Sequence, residues 1–169
     1  MPIIAYLSLG SNLGNRENHV HDAIARLQAL GRIVAFSSLY ETQPVEFTNQ
    51  PWFLNSVVVL ETAETPAQLL ANLRGIEQEM GRVRTRKKGP RTIDIDILLF
   101  GDTILHSFEL TIPHPALHQR RFVLEPLAEI APEVQHPILK KTIRTLLEDL
   151  PAGQTVRKLQ KKLAPDHAD

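Results

Sequence analysis

The chain has 169 residues, of which 43% are hydrophobic and 22% charged, proportions that suit one compact core and argue against a disordered, collagen-like or two-domain chain. Its 19 Lys+Arg balance 19 Asp+Glu, so it has no overall electrostatic preference for nucleic acid or an anionic membrane, and its longest apolar runs, residues 57–60 and 97–100, are far too short to span a bilayer. The absence of cysteine excludes disulfides, thiolate metal sites and a cysteine nucleophile; together with an N-terminus that runs straight into apolar residues without a basic leader, it leads us to expect a cytoplasmic protein.

Residues 3–9 are apolar and predict a buried strand, closed by the turn-forming run Gly10-Ser11-Asn12-Leu13-Gly14-Asn15. Val20, Ile24, Leu27 and Leu30 then recur at helical spacing, with Gly31 as the stop. Residues 33–42 are rich in β-branched and aromatic side chains and read as one strand; the polar, proline-bearing residues 43–51 read as a loop, and 53–62 as the next strand. Thr65, Pro66 and Gln68 form a helix start, with Thr65 as N-cap, Pro66 at the first position and Gln68 completing a capping box. Leu69, Leu73, Ile76 and Met80 stripe one face of that helix until Gly81. A fourth strong strand covers residues 93–100. The order β-α-β-β-α-β is that of a ferredoxin-like α+β fold, with a mostly antiparallel sheet and both helices on one face. The remainder predicts a short strand pair around Ile104 and Leu110 and helical segments near 123–130 and 140–150 covering the other face. Residues 1–169 are therefore expected to form a single domain, with the lysine-rich tail from about residue 154 partly frayed toward its last residues.

The chemistry centres on Asp94-Ile95-Asp96. On a strand, residues i and i+2 share a face at about 6–7 Å, while Ile93, Ile95 and Ile97 turn to the core. Paired carboxylates repel unless a cation sits between them or one is protonated, and magnesium favours one or two carboxylates completed by water and phosphate. Taken alone the pair is better read as the acidic solvent face of a half-buried strand, since alternation is what such strands show. The preceding loop shifts the balance: Arg82, Arg84, Arg86, Lys87, Lys88 and Arg91 come with no acid among them, and guanidiniums beside a metal-bearing pair suit phosphoryl transfer, which needs positioning and charge neutralisation. Gly10–Gly14 lacks the lysine of a P-loop and is better explained by a turn and helix cap. Of the seven histidines, His114 stands out, held between Pro113 and Pro115; a structural and a functional role are equally open from local sequence.

The run Lys87-Lys88-Gly89-Pro90-Arg91-Thr92-Ile93-Asp94-Ile95-Asp96-Ile97-Leu98 resembles the signature of the 6-hydroxymethyl-7,8-dihydropterin pyrophosphokinase family. The resemblance extends, in order, through Gly10-Ser11-Asn12-Leu13, Tyr40-Glu41-Thr42, Gln50-Pro51, Phe53-Leu54-Asn55, Gly81-Arg82-Val83-Arg84, Pro113-His114, Arg120 and Phe122, covering roughly residues 3–135. It implies a ferredoxin-like fold and transfer of the terminal pyrophosphoryl unit of ATP to a pterin hydroxymethyl group in folate biosynthesis, leaving AMP. By position, it further implies that Asp94 and Asp96 ligate two magnesium ions and that Arg82 and Arg91 are the catalytic arginines closing on the phosphates. Glu77, Arg84, Ile97, Thr111, His114 and Arg120 would line the ATP site. The pterin would stack between Phe53 and Phe122, with Asn55 on its edge and backbone groups near Thr42, Gln43 and Val45 reading the rest. Departures are Lys88, where several members carry tryptophan, Pro115 after the histidine in place of tyrosine, Glu109 in place of arginine, and a loop one residue shorter; nucleotide contacts at Pro115 and Glu109 are not carried over. The expected partners are ATP and the pterin alone, with no nucleic acid or membrane, for a monomer. The competing readings are a ferredoxin-like RNA-binding module, which lacks its stacking aromatics here, and a regulatory domain that binds a small ligand without turnover.

Overall fold

The computed structural model describes residues 1–43, 51–81 and 92–159. Strands β1 (Ile3–Ser11), β2 (Arg32–Phe36), β3 (Tyr40–Thr42), β4 (Phe53–Thr62), β5 (Asp94–Phe100) and β8 (Val156–Lys158) form one antiparallel sheet in the order β5-β1-β4-β3-β8, with β2 also paired to β4. Helices α1 (Arg16–Leu27) and α2 (Pro66–Glu79) link its strands, and α3 (Arg121–Ile130) and α4 (Ile143–Glu148) lie in the chain between β5 and β8. The central order, fourth strand beside first, first beside third, third beside second, is the ferredoxin-like arrangement. A two-stranded ribbon, β6 (Leu105–His106) with β7 (Thr111–Ile112), leads through a cis Ile112–Pro113 bond to His114.

Side-chain alternation makes the sheet the middle of three layers. Leu7, Leu9, Leu54, Val58, Leu60, Ile93, Ile95 and Ile97 pack with Val20, Ala23 and Leu27 of α1 and Leu69, Leu73 and Ile76 of α2. On the opposite face Val57, Leu98 and Leu99 meet Val123, Leu124 and Leu127 of α3 and Ile143 and Leu146 of α4. The expected α2 start is present in full: Gln68 N–H donates to Thr65 Oγ1 at 3.2 Å and Thr65 N–H donates to Gln68 Oε1 at 2.9 Å.

Two expectations are corrected. Residues 33–42 form two strands, because Ser37 diverts the ladder into its own side chain. Its N–H donates to Val57 O, and its Oγ accepts Val57 N–H, both at 2.9 Å. Glu129 of α3 then accepts from Ser38 N at 3.0 Å, Ser38 Oγ at 2.8 Å and the Tyr40 hydroxyl at 2.7 Å, fixing the break to the α3 layer. Gly10 and Ser11 continue strand β1, and the turn begins only at Asn12, with Gly14 at φ +70° and Asn15 Oδ1 capping α1. Of the tail, Val156–Lys158 pairs with Thr42–Tyr40 and Leu159 N–H extends the ladder to Leu39 O at 2.9 Å, while residues 160–169, where fraying is expected, lie outside the described residues.

Candidate active site

The sheet register joins the residues that the sequence separates. Gly10 of β1 pairs with Asp94 of β5 on one side and Asn55 of β4 on the other, and Asn55 pairs with Tyr40 of β3. Three strands at about 4.8 Å spacing put the Asp94 and Asn55 backbones about 10 Å apart on the α3 face. Gly10 keeps the middle of this row open. A Cβ there would lie 2.9 Å from Asn55 Oδ1 and 3.6 Å from Phe53 Cδ1, so the Asn55 amide occupies the space that a side chain would take. Thr42 Oγ1 accepts the Asn55 amide N–H at 2.7 Å, and both side chains are buried. Phe53, paired with Thr42, is only partly covered.

Asp94 and Asp96 share this face, as their alternation with the buried Ile93, Ile95 and Ile97 requires. Their strand is the edge of the sheet, and α2 closes that edge at the residue between them. Ile95 N–H donates to Glu77 Oε2 at 2.7 Å, and Ile95 O accepts from the Arg74 guanidinium at 2.9 Å. Arg74 also pairs with Glu77 at 2.8 Å and approaches Asp96 Oδ1 at 3.9 Å. Burial, then the Asp94 charge, push the Asp96 carboxyl up to about 6; Arg74 offsets part of this. Two hard carboxylates on one face, the pKa of one raised by burial and by its neighbour's charge, fit a divalent cation such as magnesium. No cluster of three or more His, Cys, Asp or Glu gathers among the described residues.

A β-bulge opposite Tyr6/Leu7 places both Leu98 and Leu99 in the α3 layer. The Leu98 carbonyl accepts His114 N–H at 2.9 Å, so the bulge anchors the loop that carries the histidine. His114 Nδ1 accepts Ala116 N–H at 3.1 Å, which assigns the proton of the neutral ring to Nε2. Burial, and then Arg120, hold its pKa down to about 4, against the opposing pull of Asp94. Arg120 also lies over the Phe122 ring at 5.4 Å from its centroid, and Phe122 rests against the rim of the α3 core.

The structure therefore brings Asp94, Asp96, His114 and Arg120 into electrostatic contact, with Thr42, Phe53 and Asn55 along the same sheet face. Thr111 lies in β7, leading into His114, and Gln43 follows β3 as an exposed residue. Two expected site residues turn their side chains elsewhere: Ile97 is buried in the α1/α2 core, and the Glu77 carboxylate is engaged with Ile95 and Arg74. Val45, Arg82, Arg84 and Arg91 lie outside the described residues. Sequence reasoning missed Arg74. Its signal was the i, i+3 spacing to Glu77, which puts both on one helix face.

A family model described as 7,8-dihydro-6-hydroxymethylpterin-pyrophosphokinase matches residues 6–132. The chain belongs to that family. It is 45% identical over 134 residues to the 2-amino-4-hydroxy-6-hydroxymethyldihydropteridine pyrophosphokinase of Bacillus subtilis, covering 78% of this chain and 80% of that protein. It is 44% identical over 151 residues to the folic acid synthesis protein of Schizosaccharomyces pombe, covering 88% of this chain. The chain spans only about a fifth of that relative, 21% of its length. The crystal structure of wild-type Plasmodium falciparum HPPK-DHPS with pteroate superposes with a TM-score of 0.72 at 21% identity, covering 88% of this chain and 42% of that one, and supports the ferredoxin-like fold. These pyrophosphokinases belong, by family and by the names of the relatives, to folate synthesis. No helix among the described residues is long and apolar enough to cross a membrane.

Proposed function

We propose that this chain transfers the pyrophosphoryl group of ATP to the hydroxyl of 6-hydroxymethyl-7,8-dihydropterin, giving the pterin diphosphate and AMP, and that the reaction depends on magnesium held by Asp94 and Asp96. Beside family membership, the observation that carries this reading is the cross-strand row Asp94–Gly10–Asn55: a carboxylate pair and a buried amide, given room by Gly10, share one sheet face about 10 Å apart. The substrate oxygen forms a bond to the β-phosphorus, the bond from that phosphorus to the α-bridging oxygen breaks, and the hydroxyl proton passes to solvent.

Magnesium bound by the two aspartates, two ions by resemblance to the family, would neutralise charge on the transferring group. His114, neutral above its pKa of about 4, presents its Nε2–H as a donor to a phosphate oxygen and is a weak base at neutral pH. Arg120 adds a fixed positive charge beside it. Arg82, Arg84 and Arg91 belong to the phosphate side by family position, while Thr111 and the backbones near Glu77 and Ile97 border the nucleotide. On the other side Phe53 and Phe122 stack on the flat pterin, and Asn55, held by Thr42, meets its polar edge together with Gln43 and Val45. The protein acts as a monomer in the cytoplasm.

AMP release from ATP and magnesium, with and without 6-hydroxymethyl-7,8-dihydropterin, tests the proposal. Pterin-dependent AMP is the expected product. ADP would identify a simple kinase and overturn it.

A further inference from the structure

The C-terminal strand β8 closes a ring of contacts behind the pterin side of the site. Glu41 lies between Tyr40 and Thr42 on β3, so its side chain leaves the sheet on the face opposite theirs. There its carboxylate accepts from Arg16, at the start of α1, at 2.9 Å and from Arg157 of β8. Arg16 also donates to Trp52 O at 2.8 Å, and Arg157 stands over the Trp52 indole at 5.4 Å from the ring centroid. The circuit Glu41–Arg16–Trp52–Arg157–Glu41 thus joins α1, β3, β8 and the residue preceding β4. Glu41 and Trp52 each immediately precede one of the paired residues Thr42 and Phe53.

We propose that Arg157 is a positioning residue for the pterin half of the site: it sets where Thr42 and Phe53 stand by holding Glu41 and Trp52 from behind. This inference rests on the pterin-binding reading of Thr42, Phe53 and Asn55 given above. Arg157 is the one link supplied from a distant part of the sequence, 116 residues from Glu41. Its side chain is 65% exposed, so the ion pair itself contributes little to stability, and its effect is geometric. Arginine suits the place because one planar guanidinium can bond a carboxylate edge-on while lying over an aromatic ring; lysine cannot do both. Leu159, bonded to Leu39 O and packed on the α1/α2 core, fixes the strand from which Arg157 projects.

Trp52 is the chain's single tryptophan, so fluorescence excited selectively at tryptophan, apart from the two tyrosines, reports on this ring. The experiment compares wild type, Arg157→Ala, Arg157→Lys and, as a control on the same strand, Lys158→Ala, whose side chain lines the α3-side cavity with Tyr40 and Glu129. Arg157→Ala is expected to raise the pterin KM roughly tenfold, about the worth of one well-placed cation–π and ion-pair contact, with kcat and the ATP KM within about twofold, and to shift Trp52 emission. Arg157→Lys should fall between, and Lys158→Ala should leave pterin KM and emission unchanged. An unchanged pterin KM in Arg157→Ala, or equal losses in both β8 variants, overturns the inference while leaving the activity intact. A wild-type chain that forms no AMP with the pterin overturns both readings.

Discussion

Asp96 is the residue on which function and stability pull apart. Its folded pKa of about 6 lies above the ordinary aspartate value of 3.8, so the folded chain keeps a proton that the unfolded chain releases between those limits. Its contribution is therefore fully present below about pH 3.8 and lost as pH rises through about 6. Asp96→Asn should leave the metal-free chain more stable than wild type at pH 7–8, with the gap closing as pH falls toward 4, measured by urea midpoints at several pH values. The same variant should lose essentially all turnover. A variant that keeps activity would remove Asp96 from the metal role proposed for it. At Gly10 the conflict is steric: Gly10→Ala puts a Cβ 2.9 Å from Asn55 Oδ1, forcing the amide off Thr42. The expected outcome is a pterin KM raised roughly tenfold or more, of the order of one buried hydrogen bond, with ATP affinity unchanged by titration. The alternation around Asp94 and Asp96 was legible in the sequence because period-2 patterning survives tertiary packing. The reason for Gly10 was not, since it lies in a neighbour, Asn55, 45 residues away across a sheet register.

Among elements, β5 shows what local pattern leaves out. Its apolar run announces a strand, but only the docking of α2 shows that Glu77 and Arg74 occupy the N–H and C=O of Ile95. Glu77→Ala would leave the Ile95 N–H and the Arg74 charge without that carboxylate. Removal of one member of a buried charged pair typically costs about 3–5 kcal/mol, and a smaller loss, about 2–3 kcal/mol, is expected here because Arg74 is 35% exposed. Chemical denaturation measures the loss, and kcat should fall with it as both aspartates gain freedom. The helix start at Thr65 was readable residue by residue because a capping box is a local hydrogen-bond pattern. The division of residues 33–42 was not: it depends on Ser37 bonding Val57 and on Glu129 arriving from α3. Strand β8 was hidden for a related reason. Three residues with one apolar member in a basic tail carry no periodicity, and only their pairing with Tyr40–Thr42 makes them a strand.

At the scale of the molecule, two cores share one sheet. Leu73→Ala in the α2 layer and Leu124→Ala in the α3 layer each empty a fully buried site and should each cost about 2–5 kcal/mol. Because neighbouring residues such as Val57 and Val58 serve opposite layers, both variants should still unfold in a single transition, with Trp52 fluorescence and far-UV circular dichroism coincident. Separate transitions would show that the layers melt independently. The ferredoxin-like order of the first six major elements followed from hydrophobic runs and turn signals. How α3 covers the site face follows from the bulge at Leu98, which sends two successive leucines to that layer and anchors His114.

An edge strand with free backbone groups is a template on which a second chain can add, and proteins that leave one bare tend to aggregate. The Arg74–Glu77 clasp occupies both outward groups of Ile95 near the start of such an edge. The clasp that steadies the aspartates thereby also keeps the strand from recruiting copies of itself, and its loss should appear in light scattering as concentration-dependent association of otherwise folded chains.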